Sequence, residues 1–252
     1  MPQQSMLCER ILLTNDDGID APGMAVLEKI AHQLSHDVWI VAPVHDQSGT
    51  SHSLSLHSPL RLSERGPQRY AVTGTPGDCV ALALGHLMKD KKPTLLLSGV
   101  NRGANLGTET VFSGTIGAAM TGMLMGVTSF ALSQAFTDRN SVPWTVAETR
   151  GAATIEALWK SETFKAGCLN INFPVAINPD LPAFTFTRQG KGYLHDIDVI
   201  SHRDPRDLEY FWLSLKRQNL PDAPETEAAI LQQGGISVTQ LGFDRGVTRQ
   251  NG

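Results

Sequence analysis

The sequence has few cysteines and no run of positive charge, and both features limit the classes of protein to which it can belong. Its 252 residues include three cysteines, Cys8, Cys79 and Cys168, whose spacing matches neither a disulfide framework nor a zinc site. We therefore expect a reducing, cytoplasmic location. The 21 basic and 25 acidic residues give a net charge of −4 without any basic block. We accordingly expect no binding of duplex nucleic acid.

Long apolar runs are also missing. The uncharged stretch 116–132 is short and is interrupted by Gly117, Gly122 and Gly126. This pattern favours a buried helix followed by a buried strand over a membrane span. No basic segment followed by a long apolar one stands near the N-terminus, so we expect neither a signal peptide nor a membrane partner. The sequence also contains no Walker loop, no GxGxxG fingerprint and no G-x-S-x-G elbow.

The pattern that is present is typical of a compact α/β protein. Apolar residues make up 41% of the chain and charged residues 18%. Short apolar runs at 11–14, 38–42, 95–98, 128–132 and 169–173 predict strands that are covered on both faces. Helical patterns lie between them, beginning near Pro22, Pro76, Ser113 and Pro143, and Thr75 with Asp78 forms a predicted N-cap pair. Alternating strands and helices predict an open, mostly parallel sheet with helices on both faces.

The pattern changes after Phe173. We predict a core at 1–175 and a β-rich C-terminal extension at 176–252, with strands at 184–188, 208–215 and 236–241. Tyr210, Phe211 and Trp212 are consecutive, so a strand there carries large apolar groups on both faces. Such a segment is typical of an interface, and a homo-oligomer is predicted. The alternative is a tail that folds back over its own sheet. Deletion from Arg203 onward is expected to dissociate the oligomer, while the acidic metal site in the other half of the chain should still bind its ion.

Two adjacent carboxylates, Asp16 and Asp17, directly follow the first predicted strand. Ligands of open α/β sheets bind beyond the carboxyl ends of strands, and a cation relieves the repulsion between neighbouring carboxylates. Oxygen ligands suit Mg²⁺ or Mn²⁺. A solvated turn is the alternative, because Asn, Asp and Gly are all turn formers.

A second group of polar residues follows the predicted strand at 95–98. The glycine-rich loop there contains Asn101 and Asn105, and the segment with Ser113, Gly114 and Thr115 opens a helix. Free N–H groups at a helix start and nearby hydroxyls bind anions such as phosphate. N-capping by Ser113 with close helix packing at the glycines explains the same residues equally well. The loop that contains Ser48 indicates no chemistry by itself.

Taken together, these segments resemble the SurE family of survival-protein nucleotidases over nearly the whole chain. The motifs that carry the resemblance are TNDDGIDAPGM from Thr14, APVHDQSG from Ala42, GTPGDCV from Gly74, SGVNRGANLG from Ser98 and FSGTIGAA from Phe112. Weaker matches are LNINFP from Leu169, DPRDLEYFW from Asp204 and ISVTQL from Ile236. The chain departs from the usual family pattern at Glu109, Phe112, Thr121 and Asp207.

The resemblance implies a Rossmann-like domain with a C-terminal oligomerisation extension, assembled as a homodimer or homotetramer. It implies a nucleotidase that hydrolyses nucleoside 5′- and 3′-monophosphates with one Mg²⁺ or Mn²⁺ per subunit. Matched motif by motif, the implied metal ligands are Asp16, Asp17, Ser48 and Asn101. Phosphate is implied near Asn105 and 113–115, with Asp16 and Asn105 as catalytic residues.

Three questions stay open from the sequence. Asp16 either orients or deprotonates water, or attacks phosphorus itself. A non-catalytic nucleotide-binding module and a nucleotide-sugar transferase are the alternative functions, since both can use this type of fold. The preferred base and the position of the phosphate are not predicted.

Overall fold

A nine-stranded sheet forms the centre of the molecule, with the strand order β3-β4-β2-β1-β5-β6-β7-β11-β8. The structure is a computed structural model that describes residues 6–161, 167–218, 222–244 and 246. The strands are β1 (Ile11–Thr14), β2 (Val38–Pro43), β3 (Leu62–Gly66), β4 (Arg69–Val72), β5 (Leu95–Arg102), β6 (Thr128–Gln134), β7 (Cys168–Phe173), β8 (Thr185–Thr187), β9 (Leu194–Arg203), β10 (Glu209–Arg217) and β11 (Ser237–Leu241).

Five α-helices accompany these strands within the described residues. They are α1 (Pro22–His32), α2 (Pro76–Leu82), α3 (Gly114–Leu124), α4 (Trp144–Lys160) and α5 (Glu227–Gln232). A π-helical turn, Ala83–Leu87, continues α2, and a 3-10 turn, Gly107–Val111, precedes α3. No helix in the described part of the chain is both long and apolar enough to cross a membrane.

The central strands β4, β2, β1, β5, β6 and β7 are parallel and have helices on both faces of the sheet. Ile11 and Leu13 belong to the core that contains α1 and α4, whereas Leu12 belongs to the core that contains α2. All four residues of β1 are buried, as expected for a strand covered on both faces. The predicted Rossmann-like fold class is therefore confirmed.

The helix starts follow from local sequence. Pro22 is the first residue of α1, where the missing N–H costs no helical hydrogen bond. At α2, the Thr75 hydroxyl accepts from the Asp78 N–H and the Asp78 carboxylate accepts from the Thr75 N–H. This reciprocal capping box confirms the predicted N-cap pair.

β5 continues beyond the predicted strand to Arg102, and its register against β6 shifts between Ser98 and Asn101. Gly99 lies at this shift with φ +141°, and the Gly99–Val100 peptide is cis. A Cβ on Gly99 would stand 2.3 Å from the Leu132 carbonyl oxygen, so the strands approach closely only because glycine is present.

Part of the predicted extension completes the main sheet. β11 pairs antiparallel with β7 and parallel with β8, and Val238 of β11 is fully buried. Deletion from Arg203 onward would therefore remove a core strand as well as part of the extension, so it does not isolate the effect of assembly. The boundary at 175/176 itself stays a prediction.

The remainder of the extension is a two-stranded antiparallel ribbon, β9–β10, which we call the arm. One face carries Ile197, Val199, Phe211, Leu213 and Leu215, because these residues alternate along paired strands. The other face carries Ile200, Tyr210 and Trp212. All eight are exposed, between 41% for Leu215 and 72% for Leu213.

Candidate functional site

Asp16 lies two residues beyond the end of β1, where it meets the first turn of α3. Its Oδ1 accepts a hydrogen bond of 2.5 Å from the Thr115 hydroxyl, and both residues are buried. A Cβ on Gly114 would stand 2.8 Å from the Asp16 Cβ. Glycine therefore allows the start of α3 to approach this carboxylate closely, and the positive end of the helix dipole faces it.

Both carboxylates of the pair are held in surroundings that disfavour their charge. Burial raises the pKa of Asp16 to about 6, with the neighbouring Asp17 adding to the rise and the Thr115 hydroxyl opposing it. Burial also raises the pKa of Asp17, and the Arg102 N–H opposes that change. A cation bound between the two would remove both the repulsion and much of the desolvation penalty.

Asp17 is joined to the end of β5. Its Oδ2 accepts from the Arg102 backbone N–H at 3.1 Å, which places it beside the neighbouring residue, Asn101. The Asn101 amide donates to the Gly103 carbonyl at 2.8 Å, so its Oδ1 is left to act as an acceptor or ligand. Two of the strand ends that were expected to converge therefore do so.

The loop that contains Ser48 reaches the same edge of the sheet. The Gln47 N–H donates to the Asp16 carbonyl at 2.7 Å, and the Ser51 N–H donates to the Phe112 carbonyl at 3.1 Å. The loop thus spans from Asp16 to Phe112, two residues before α3. Ser48 itself is exposed, and its N–H donates to the Asp46 carboxylate. The structure thus places Ser48 next to the residue that contacts Asp16.

Asn105 is fixed by buried amides that the sequence analysis did not single out. Its N–H donates to Asn172 Oδ1 at 2.8 Å, its carbonyl accepts from the Asn170 amide at 2.8 Å, and its own amide donates to Ser133 at 2.8 Å. The sequence did contain a signal. Asparagines at alternate positions of an otherwise apolar buried strand require polar partners, because unpaired buried amides are costly.

The predicted phosphate residues 113–115 form the N-terminal end of α3, as expected. The Ser113 hydroxyl accepts from the Ile116 N–H at 3.2 Å. This is the N-cap contact given above as the alternative explanation of Ser113. The hydroxyl proton of Ser113 remains available for donation to a ligand. The Thr115 hydroxyl instead donates to Asp16. Phosphate binding by Asn105, Ser113, Gly114 and Thr115 stays a prediction.

The donors gathered at this edge fit a hard divalent cation. They are the carboxylates of Asp16 and Asp17, the Ser48 hydroxyl and the Asn101 amide oxygen, and oxygen-only sets of this kind suit Mg²⁺ or Mn²⁺. The set contains only two acidic residues, and the described part of the chain holds no cluster of three or more His, Cys, Asp or Glu able to bind a metal. Metal binding by these four residues therefore stays a prediction.

The turn between Asn105 and α3 is anchored to the C-terminal extension by Glu227. This fully buried carboxylate accepts from the Gly107 N–H at 2.7 Å and from the Gly190 N–H at 2.7 Å. In the same turn Glu109 pairs at 2.8 Å with Arg217, the last residue of β10. The extension therefore supports the candidate site directly, which no local sequence pattern indicated.

Comparison with known proteins identifies the family to which this site belongs. The family model described as Survival protein SurE matches residues 11–196. The chain belongs to the SurE family. A SurE relative from Burkholderia lata, named 5′-nucleotidase SurE 1, is 56% identical over 245 residues, which cover 97% of this chain and 95% of the relative. Another, from Bradyrhizobium diazoefficiens, is named 5′-nucleotidase SurE and is 46% identical, with 94% of each chain covered.

A solved SurE structure supports the fold as well as the family. The crystal structure of the SurE protein from Aquifex aeolicus matches with a TM-score of 0.77 at 30% identity, covering 94% of each chain. The SurE resemblance inferred from the sequence motifs is therefore confirmed.

Proposed function

We propose that this SurE-family chain is a divalent-metal-dependent nucleotidase that removes phosphate from nucleoside 5′- and 3′-monophosphates. Its membership of a family whose close relatives are named 5′-nucleotidases supports nucleotidase activity. The structural observation behind the proposal is the contact of Asp16 with the first turn of α3, with Asp17 alongside. That contact puts paired carboxylates next to a helix start suited to anions.

Each residue then has a role that follows from its position. Asp16, Asp17, Ser48 and Asn101 hold one Mg²⁺ or Mn²⁺ per subunit, and such a cation supplies positive charge to the phosphoryl group and acidifies a nearby water. Asn105 and residues 113–115 bind the remaining phosphoryl oxygens. The buried Asp16 carboxylate either orients water or takes a proton from it, or attacks phosphorus itself.

We further propose that the protein works as a homodimer or homotetramer in the cytoplasm. The support for an oligomer is the arm, whose two faces both expose large apolar side chains. The support for a cytoplasmic location is the presence of three cysteines that are buried and free rather than paired.

The test is phosphate release from a panel of nucleoside 5′- and 3′-monophosphates with protein treated with a chelator and then given Mg²⁺ or Mn²⁺. We expect activity to disappear on chelation and to return with metal. Full activity in thoroughly demetallated protein contradicts the metal site.

A matched variant separates metal binding from folding. Asp17→Asn keeps the shape of the side chain but loses its charge, so Mn²⁺ affinity measured by calorimetry should fall while the circular dichroism spectrum stays unchanged. Nucleotide binding without any phosphate release favours the non-catalytic module. Turnover only after an acceptor sugar is added favours the transferase.

A further inference from the structure

A cleft of about 270 Å³ opens beside the candidate metal site, on the side of Asp17. Its wall is formed by Asp17, Arg102, Asn140, Trp144 and the start of α1 at 21–23. Asp17 thus belongs both to the predicted metal set and to this wall. The cleft therefore shares Asp17 with the place where phosphate chemistry is proposed.

The cleft lies on the other side of the paired carboxylates from the predicted phosphate pocket. Asp16 contacts α3. This helix packs on one face of the sheet, where it contributes to the same core clusters as Leu12 of β1 and Ala131 of β6. The cleft is bounded by the starts of α1 and α4, which pack on the opposite face. Phosphate bound at α3 and an organic group bound in the cleft would therefore lie on opposite sides of the paired carboxylates.

The chemistry of the wall suits a nucleoside. Trp144 is half-buried, and Cη2 of its indole lies 3.3 Å from where a Cβ on Gly23 would stand, so the ring reaches the α1 wall. Tryptophan offers a flat surface for stacking a base. The exposed Arg102 side chain places a positive charge near Asp17 in this wall, and the exposed Asn140 amide adds a second polar group.

We propose that this cleft binds the nucleoside part of the substrate, with Trp144 contacting the base and Arg102 and Asn140 donating to its polar edge or to the ribose hydroxyls. The proposal rests on the proposed nucleotidase function and adds the residues that distinguish a nucleotide from other phosphate monoesters. The cleft volume of about 270 Å³ is slightly below the lower limit of about 300 Å³ that is usual for ligand pockets. This is consistent with the proposal, because the cleft has to hold only part of the nucleotide.

The experiment compares AMP with ribose 5-phosphate, which has the same phosphate and sugar but no base. Trp144→Ala should lower kcat/KM for AMP roughly 5- to 100-fold more than for ribose 5-phosphate, the range that loss of one base–aromatic contact produces. Trp159→Ala is the matched control, since Trp159 is also half-buried, lies on α4 and packs on the same core. Equal changes for both substrates in Trp144→Ala overturn the proposal.

A binding measurement keeps the two proposals distinguishable. In chelator, without metal, adenosine should quench tryptophan fluorescence in the wild type and in Trp159→Phe but much less in Trp144→Phe. If the wild type releases no phosphate from any nucleotide yet shows this quench, the nucleotidase proposal fails and the cleft assignment stands. If nucleotides are hydrolysed but the quench is the same in both variants, the cleft assignment fails alone.

Discussion

At the scale of single residues, Thr115 makes a contact that the sequence did not predict. Its hydroxyl is fully buried and donates to Asp16. This bond fixes the orientation of a carboxylate that the proposed chemistry requires. We therefore propose that Thr115 acts as a positioning residue through Asp16, beside its predicted place in the phosphate site.

The first prediction follows from this contact. Thr115→Val should lower kcat/KM for nucleotides roughly 10- to 100-fold, because a hydrogen bond to a charged group contributes about 1.5–3 kcal/mol. Thr115→Ser keeps the hydroxyl and should recover most of the activity. Thr121→Val is the control, since the Thr121 hydroxyl on the same helix donates only to the Gly117 carbonyl. Near-normal activity of Thr115→Val contradicts the positioning role.

The buried Asp16 carboxylate also predicts a pH dependence of stability in metal-free protein. Burial raises the pKa of Asp16 from 3.8 to about 6, so the folded protein holds this proton more tightly than the unfolded chain does. The stability that Asp16 contributes is present in full below pH ~4 and is lost as pH rises through ~6, with an upper limit of about 3 kcal/mol.

The measurement is denaturant unfolding in chelator across this pH range. Asp16→Asn removes the titrating group, and its stability should therefore fall less between pH 4 and pH 6.5 than that of the wild type. Parallel curves for the two proteins show that Asp16 does not titrate in this way. Saturating metal should flatten the wild-type curve, because the cation stabilises the charged form.

At the scale of elements, the turn after Asn105 depends on α5. Glu227 links Gly107 of that turn to Gly190 of the extension, and Gly107 and Gly192 approach so closely that a Cβ on either would overlap backbone atoms of the other segment. Burial raises the pKa of Glu227, and the N–H groups that it accepts from oppose the rise. The extension therefore contributes to the geometry of the site as well as to the proposed assembly.

Glu227→Gln tests this link. The side-chain NH₂ of glutamine would face one of the two backbone N–H groups, of Gly107 or Gly190, that now donate to the carboxylate. That N–H group would lose its acceptor, so the free energy of unfolding should fall by about 1–3 kcal/mol. Activity should fall with it, as the turn that follows Asn105 loses its anchor. Glu225→Gln is the control, because Glu225 is an exposed neighbour paired with exposed Arg188. Equal effects of the two variants on melting temperature and kcat/KM would falsify the anchoring role.

Local sequence patterns predicted the buried strands and the helices that have clear start signals. The strands β1, β2, β5, β6 and β7 and the first four helices lie where continuous apolar runs and N-cap residues indicated. β3, β4 and β9 were not predicted. LSERG and LHDIDVISHR are largely polar and their strands are mostly exposed, and RYAV is short, with only its last two residues buried. The insertion of β11 between β7 and β8 was not predicted either, since strand order depends on distant contacts.

The candidate site shows the same division. Asp16, Asp17 and the start of α3 could be found because strand ends and helix starts are local features that converge at one sheet edge. The Asn170–Asn172 support of Asn105 and the Glu227 anchor could not, because each depends on segments more than 60 residues away in the chain.

At the scale of the whole molecule, the arm is the feature that a monomer explains least well. A two-stranded ribbon alone is marginally stable in water, and this one exposes apolar side chains on both faces. Its base is fixed to the main body by the Arg217–Glu109 ion pair. A second copy of the chain covering the arm, as proposed above, would remove these eight large apolar side chains from water.

Leu213→Asp tests the proposed assembly without removing β11. Leu213 is 72% exposed in the centre of the more apolar face, so a charge there costs the monomer little but is unfavourable in a buried interface. We expect the wild type to be an oligomer and Leu213→Asp to shift to monomer by size-exclusion chromatography with light scattering at micromolar concentration. Leu124→Asp is the matched control, because Leu124 is 70% exposed at the end of α3, outside the arm, and its substitution should leave the oligomer intact.

A wild-type protein that is monomeric, or an oligomer that both variants leave unchanged, contradicts assembly through the arm. Because the metal ligands proposed here lie in the main body, the Leu213→Asp monomer should still bind Mn²⁺ with wild-type affinity, which separates loss of assembly from loss of folding.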